Sequence, residues 1–98
     1  MSRQTYVYLV RPTRANFNET STPEEDAIVG AHFTRLKNML ASGDLLLAGP
    51  CADAAFGIVI FYADSLEAAR EIMENDPAVK QGVFSAELHQ YHVSLLAK

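Results

Sequence analysis

The chain has 98 residues, which suits one domain rather than two, and a domain of this size buries only a modest share of its surface. Its net charge is −4, and its Lys and Arg residues stand singly along the chain. This excludes the basic stripe that nucleic acids or anionic membranes require. Hydrophobic residues make up 49% and charged residues 20%, a balance that anticipates a surface shared with a partner subunit.

The single cysteine, Cys51, permits no intrachain disulfide and suits a reducing compartment. The apolar run at residues 6–10 is too short for a signal sequence or a membrane span, so the expected location is cytoplasmic.

Residues 5–11 are β-branched and aromatic, stop at Pro12, and predict a first strand. Tyr6, Tyr8 and Val10 fall on one face, Val7 and Leu9 on the other. With both faces apolar, the strand should be covered on both sides. Residues 12–22 read as a loop, with Arg11 at its entrance and Arg14 and Phe17 within it. A helix then starts with Thr22 as N-cap, Pro23 at the first position and Glu25 completing a capping box, while Glu24, Glu25 and Asp26 complement the helix dipole. Val29, Phe33, Leu36 and Leu40 form its apolar stripe, and Gly43 is the expected stop. Residues 44–50 predict a second strand ended by Gly49 and Pro50, residues 52–55 a turn, and residues 56–62 a third strand. Asp64 or Ser65 caps a second helix whose stripe is Leu66, Ala69, Ile72 and Met73; Asp76-Pro77 ends it, because a residue before proline avoids helical backbone. A connection over 78–82 leads to a last strand from about 83 to 96. Its apolar parity changes from Phe84, Ala86 and Leu88 to Tyr91, Val93 and Leu95, which predicts a bulge or bend near His89 and Gln90.

The order β-α-β-β-α-β predicts an α+β, ferredoxin-like domain over 1–98, with a four-stranded antiparallel sheet and two helices on one face. The other face would be apolar and uncovered, so a homodimer with sheets face to face is expected.

Few side chains carry chemistry. His32 lies roughly 60° from the centre of the helical stripe at 100° per residue. It reads either as a general acid or base, since imidazole titrates near neutrality, or as an edge-of-core histidine. Asp76 before proline is by itself an ordinary turn residue, although a carboxylate can orient a histidine. Arg11 and Arg14 can hold a substrate carboxylate or phenolate from a loop long enough to bind ligand, with Phe17 beside them; the alternative is a solvated loop. Tyr6 and Tyr8 share a face and line either a pocket, the sheet–sheet interface or simply the core. His89 and His92 are three apart on a strand and point to opposite faces, which gives zinc little basis. Cys51 has no cationic neighbour to activate it, and no phosphate-loop, dinucleotide or G-x-S-x-G motif is present. No metal or cofactor is expected.

The segments "HFTRL" around His32, "GDLLLAGP" at 43–50, "DSLEAAREIMENDPAV" at 64–79 and "GVFSAELHQYHVSLL" at 82–96 resemble the YciI-like (YCII-related) domains, as does the opening "YVYLVRPTRANF" at 6–17. The resemblance spans nearly the whole chain. It implies a dimeric ferredoxin-like α/β barrel similar to muconolactone isomerase, with a pocket built on a His–Asp dyad, here His32 and Asp76. It also implies lyase or dehydrochlorinase chemistry on hydroxylated rings. Other branches carry an arginine three residues before the histidine; here that residue is Val29, leaving Arg11 or Arg14 to supply the charge.

Two readings follow. One is a small cofactor-independent enzyme using His32 and Asp76 for proton transfer, elimination or isomerisation on an anionic or hydroxylated ring, with Arg11, Arg14, Phe17 and Tyr8 binding substrate. The other is a non-catalytic, dimeric module that binds a small molecule or serves as an accessory subunit. Both are homodimeric or assemble further, and neither involves nucleic acid or a membrane.

Overall fold

Alternation along the first strand decides the layering. In the computed structural model, which describes residues 3–97, that strand, β1 (Gln4–Pro12), runs through the middle of a sheet. The elements that follow are α1 (Phe17–Thr20), α2 (Pro23–Ala41), β2 (Leu45–Pro50), β3 (Gly57–Ala63), α3 (Leu66–Glu74), α4 (Pro77–Lys80) and β4 (Phe84–Gln90). The strand order is β2-β3-β1-β4, with every neighbouring pair antiparallel. This is the ferredoxin-like α+β arrangement.

Tyr6, Tyr8 and Val10 of β1 join Val59, Phe61 and Ala63 of β3 in one buried cluster, closed by Leu36 of α2 and by Ala69 and Met73 of α3. The two tyrosines therefore face the helices and not an interface on the opposite side. Phe61 meets Tyr8 edge-on, with ring centroids 5.5 Å apart, a favoured aromatic geometry. Alternation sends Val7, Leu9, Ile58 and Ile60 to the side away from this core.

Local signals set the element ends. Thr22 accepts from the Glu25 N–H while the Glu25 carboxylate accepts from the Thr22 N–H, completing the capping box. At the other end of α2, Gly43 takes φ +83°, a backbone geometry that suits glycine. Ser65, not Asp64, caps α3.

Three expectations are corrected. The loop over 12–22 contains a helical turn, α1, entered through Asn16 in the left-handed region. The connection over 78–82 is largely the turn α4, started by Pro77 and capped by Asp76. The last strand ends at Gln90 rather than continuing to 96. The Tyr91 N–H donates to the Thr5 carbonyl at 3.0 Å; β1 begins at Gln4, so the following residues find no continuing ladder. The change of parity marks the end of a strand. The sheet's irregularity lies instead in β2, between Leu45 and Leu47. Residues 91–97 form an arm outside the sheet that exposes Tyr91, Val93, Leu95 and Leu96, with Leu95 at 94%.

Among the described residues, no helix is long and apolar enough to cross a membrane. Replacing Thr22 with Ala should cost about 1 kcal/mol, because it strips an N-terminal amide of its acceptor. Urea denaturation should show a lower midpoint with an unchanged slope.

Candidate active site

The apolar pattern of α2 conceals which of its faces is buried. Val29, Phe33, Leu36 and Leu40 suggest a common stripe, yet Phe33 is 61% and Leu40 58% exposed. The buried residues are His32 and Leu36, one turn apart, so the imidazole sits at the centre of the inward face rather than at its border.

Asp76 is fully buried. Pro77 holds it in extended backbone, at φ −60° and ψ 125°, and its carboxylate turns back over α4. Oδ1 accepts from the Ala78 N–H at 3.0 Å. Oδ2 accepts from the Tyr8 hydroxyl at 2.6 Å. His32 Nδ1 lies 2.8 Å from Oδ1 and 2.7 Å from Oδ2. Elements far apart in sequence thus converge on one carboxyl group: β1, α2 and the start of α4.

Magnitudes decide its charge. Burying an isolated carboxylate costs several kcal/mol, whereas each hydrogen bond to a charged group contributes about 1.5–3 kcal/mol. Burial pushes the Asp76 carboxyl up, but hydrogen bonds from His32 and Tyr8 and the histidine's charge outweigh it, and the group is held below the usual carboxylate range. Tyr8 moves the other way. Burial, followed by the adjacent Asp76 charge, raises its hydroxyl far above the ordinary value, so it stays neutral and donates. An ionised carboxylate has no proton to give, so the hydrogen between the pair belongs to His32 Nδ1. That fixes a proton on Nδ1 and leaves Nε2 as the ring nitrogen not engaged with Asp76.

His32 lines a cavity of about 1010 Å³ between α2 and the β2–β3 hairpin. Most of its wall is apolar, with Val10, Leu45, Val59 and Phe56 among the lining residues. Phe84 stands edge-on to the imidazole, with centroids 5.5 Å apart and planes at 89°. Phe17 packs on Phe84 in turn at 6.1 Å.

The other predicted residues divide. Phe17 lines the cavity; Tyr8 and Asp76 lie behind His32 and do not. Arg11 and Arg14, expected at the substrate, are absent from the cavity wall. Arg11 pairs with Glu87 at 3.3 Å and lies over the Phe56 ring. Arg14 makes a two-pronged contact with Glu25, at 2.8 and 2.9 Å, and covers Phe17. That contact holds the Glu25 carboxyl down at about 2. Both guanidiniums have carboxylate partners already.

Sequence reasoning missed Phe84 and Lys37, which also line the cavity. Phe84 follows Gly82 at the start of a strand, where an aromatic reads as ordinary core. Lys37 lies four residues after Phe33, a helical spacing that places it beside that ring. Among the described residues, no three His, Cys, Asp or Glu side chains gather as a metal site.

Asp76→Ala should destabilise the fold by about 3–5 kcal/mol, because donors in the interior lose their charged partner. The pH dependence has a definite sign. A carboxyl lowered in the folded state stabilises above its unfolded value, near 3.9, and that contribution disappears as pH falls through the lower folded value. Urea titrations of wild type and Asp76→Asn should therefore converge in stability toward strongly acidic pH.

Comparison with known proteins shows the family and the fold. The family model of the YCII-related domain matches residues 6–88. The uncharacterized protein YjpA of Bacillus subtilis (strain 168) is 37% identical over 78 residues, which are 79% of this chain and 84% of that protein. The structure of TftG, the 5-chloro-2-hydroxyhydroquinone dehydrochlorinase of Burkholderia phenoliruptrix AC1100, solved with 2,5-dihydroxybenzoquinone, superposes with a TM-score of 0.65. It is 20% identical, and the match covers 89% of this chain and 93% of TftG. At that identity the likeness is one of fold. The family match spans most of the chain and includes His32 and Asp76: the protein belongs to the YCII-related domain family.

Proposed function

We propose that the protein is a cofactor-independent enzyme in which His32 moves a proton, Asp76 orients it, and a small hydroxylated ring undergoes elimination or isomerisation. The observation that carries this reading is His32 Nδ1 held against both oxygens of Asp76 while the ring lines an apolar cavity. A carboxylate behind the imidazole stabilises the imidazolium formed when Nε2 takes a proton. The same nitrogen then returns that proton to a departing group or a neighbouring atom, so the step balances without redox change. The dehydrochlorinase activity of TftG, which shares the fold, supports a ring substrate. Phe17, Phe84 and Phe56 supply apolar and aromatic wall for one.

Chloride release from 5-chloro-2-hydroxyhydroquinone tests the reading. His32→Asn and Asp76→Asn should each lower kcat by about 10²–10⁴-fold while circular dichroism remains that of a folded chain. Full activity in His32→Asn ends the dyad assignment. Absence of chloride release by the wild type favours the second reading, a non-catalytic binding or accessory module. That alternative draws on the structural duties of Asp76, which also caps α4 and receives the Tyr8 hydroxyl.

The working form in either reading is a homodimer. The arm beyond Gln90 exposes Leu95 and Leu96, and Leu9, Ile58 and Tyr62 on the helix-free side are only half-buried; a second copy covers such surface most simply. Light scattering should return twice the 10.8 kDa chain mass, and a monomer at micromolar concentration overturns the dimer.

A further inference from the structure

Apart from His32, the ionisable side chains on the cavity wall that carry a full charge near neutrality are Asp26 and Lys37. Asp26 lies in the first turn of α2, where it complements the helix dipole. Eleven residues separate it from Lys37, about 16 Å along the helix axis, too far for direct neutralisation. The carboxylates paired in the described structure are Asp44, Glu87, Glu25 and Asp76, taken by Arg3, Arg11, Arg14 and the histidines. Lys37 is in none of these pairs. Its ammonium instead stands 5.6 Å from the centre of the Phe33 ring.

Helical geometry places Lys37 on the mouth of the cavity. Gly30, Phe33, Lys37 and Leu40 all line it, at offsets of three, seven and ten residues, which share one face. A Cβ on Gly30 would meet nothing within 4 Å, so the wall beside Phe33 is open. His32 lines the same cavity from the inward face of α2. Lys37 lies five residues on, about 7.5 Å along the axis and about 140° around it, so it is the long, flexible stem, curled over Phe33, that brings its ammonium to the wall of the same cavity. An apolar wall, a flat aromatic, one cation without a carboxylate partner and one imidazole suit a ring that carries negative charge.

We infer that Lys37, with Phe33 beneath its ammonium, is the anion-binding and specificity-determining residue of the cavity, selecting ring substrates that carry a deprotonated hydroxyl or carboxylate. This rests on the proposed ring chemistry at His32, and it moves the anion grip from the β1–α1 loop to the outer face of α2. The ligand's negative oxygen meets Lys37 and its ring covers Phe33, while its reacting atom lies toward His32 Nε2. A neutral ring of the same size gains the apolar contacts but not the charged one.

Equilibrium binding of 2,5-dihydroxybenzoquinone, an acidic quinone that is anionic at neutral pH, and of hydroquinone, which is neutral there, tests the inference. The wild type should bind the anionic probe more tightly, and added salt should narrow the gap because the groove is open to solvent. Lys37→Ala should weaken the anionic probe about three- to tenfold and leave hydroquinone unchanged. Lys37→Glu should weaken it further, and Lys37→Arg should restore most of the affinity. Equal loss for both probes in Lys37→Ala, unchanged anionic binding in Lys37→Glu, or no binding of 2,5-dihydroxybenzoquinone by the wild type overturns it. Binding to His32→Asn separates the two proposals. Retained, Lys37-dependent affinity in that variant upholds the anion site whether or not the chain turns substrate over. Loss of chloride release with intact selectivity concerns the dyad alone.

Discussion

The Asp76 carboxylate is the point on which the structure turns. It is the only acidic side chain fully buried among the described residues, and it is tolerable there because donors reach it from three directions: the Tyr8 hydroxyl, His32 Nδ1 and the Ala78 amide. Each belongs to a different element, so the carboxylate ties the central strand, the long helix and the α4 turn together. Pro77 makes this possible. By denying residue 76 helical backbone, it ends α3, starts α4, and turns the carboxyl group inward. A local rule of chain geometry thereby produces a long-range contact between residues 44 apart.

Charge is used differently at the loop between β1 and α2. Exposed ion pairs contribute little singly, but the Arg14–Glu25 fork does not act singly. Glu25 also caps the Thr22 amide, Arg14 reaches the Thr20 carbonyl, and the same guanidinium lies over Phe17. These contacts fasten α1 against the start of α2 and press Phe17 onto Phe84, which stands edge-on to His32. The arginine thus shapes the cavity from outside it. A cation committed to a local carboxylate is a poor ligand for an incoming anion, because the ligand must first compete with a fixed two-pronged partner.

Much of this architecture was legible before the structure. Binary patterning, the capping box at Thr22 and the stop at Gly43 locate α2 and the first three strands to within a residue or two, because these signals are local. The role of Asp76 as a turn residue is legible from Asp-Pro alone; its cap on α4 and its contact with His32 are not, since nothing in residues 64–82 records what they pack against. The face of α2 was misjudged for a physical reason. Phe33 and Leu40 are apolar, but they serve a cavity wall open to solvent, whereas His32 is polar and buried because Asp76 satisfies it. Hydropathy orders residues by their cost in isolation, and a partner in space changes that cost. The arm beyond Gln90 was misread similarly. Its alternation is that of a strand, but β1 supplies no further partner on this chain.

The two faces of α2 now separate two requirements that a small site must meet. The inward face carries His32 and Leu36 and is locked by the core, which holds the imidazole with Nδ1 against Asp76. The outward face carries Phe33 and Lys37, exposed and free to adapt to a ligand. Rigid proton chemistry and adaptable recognition ordinarily come from separate elements, with loops supplying the second. In the proposed site one helix of 19 residues would supply both. Because its rise per residue is fixed, the separation between the two functions is set by backbone hydrogen bonds rather than by loop conformation. A domain of this size has few elements to spare, and the proposed assignment of both tasks to its longest, best-capped helix preserves their spacing while Phe17 and Asn18 of α1 are left to close the wall.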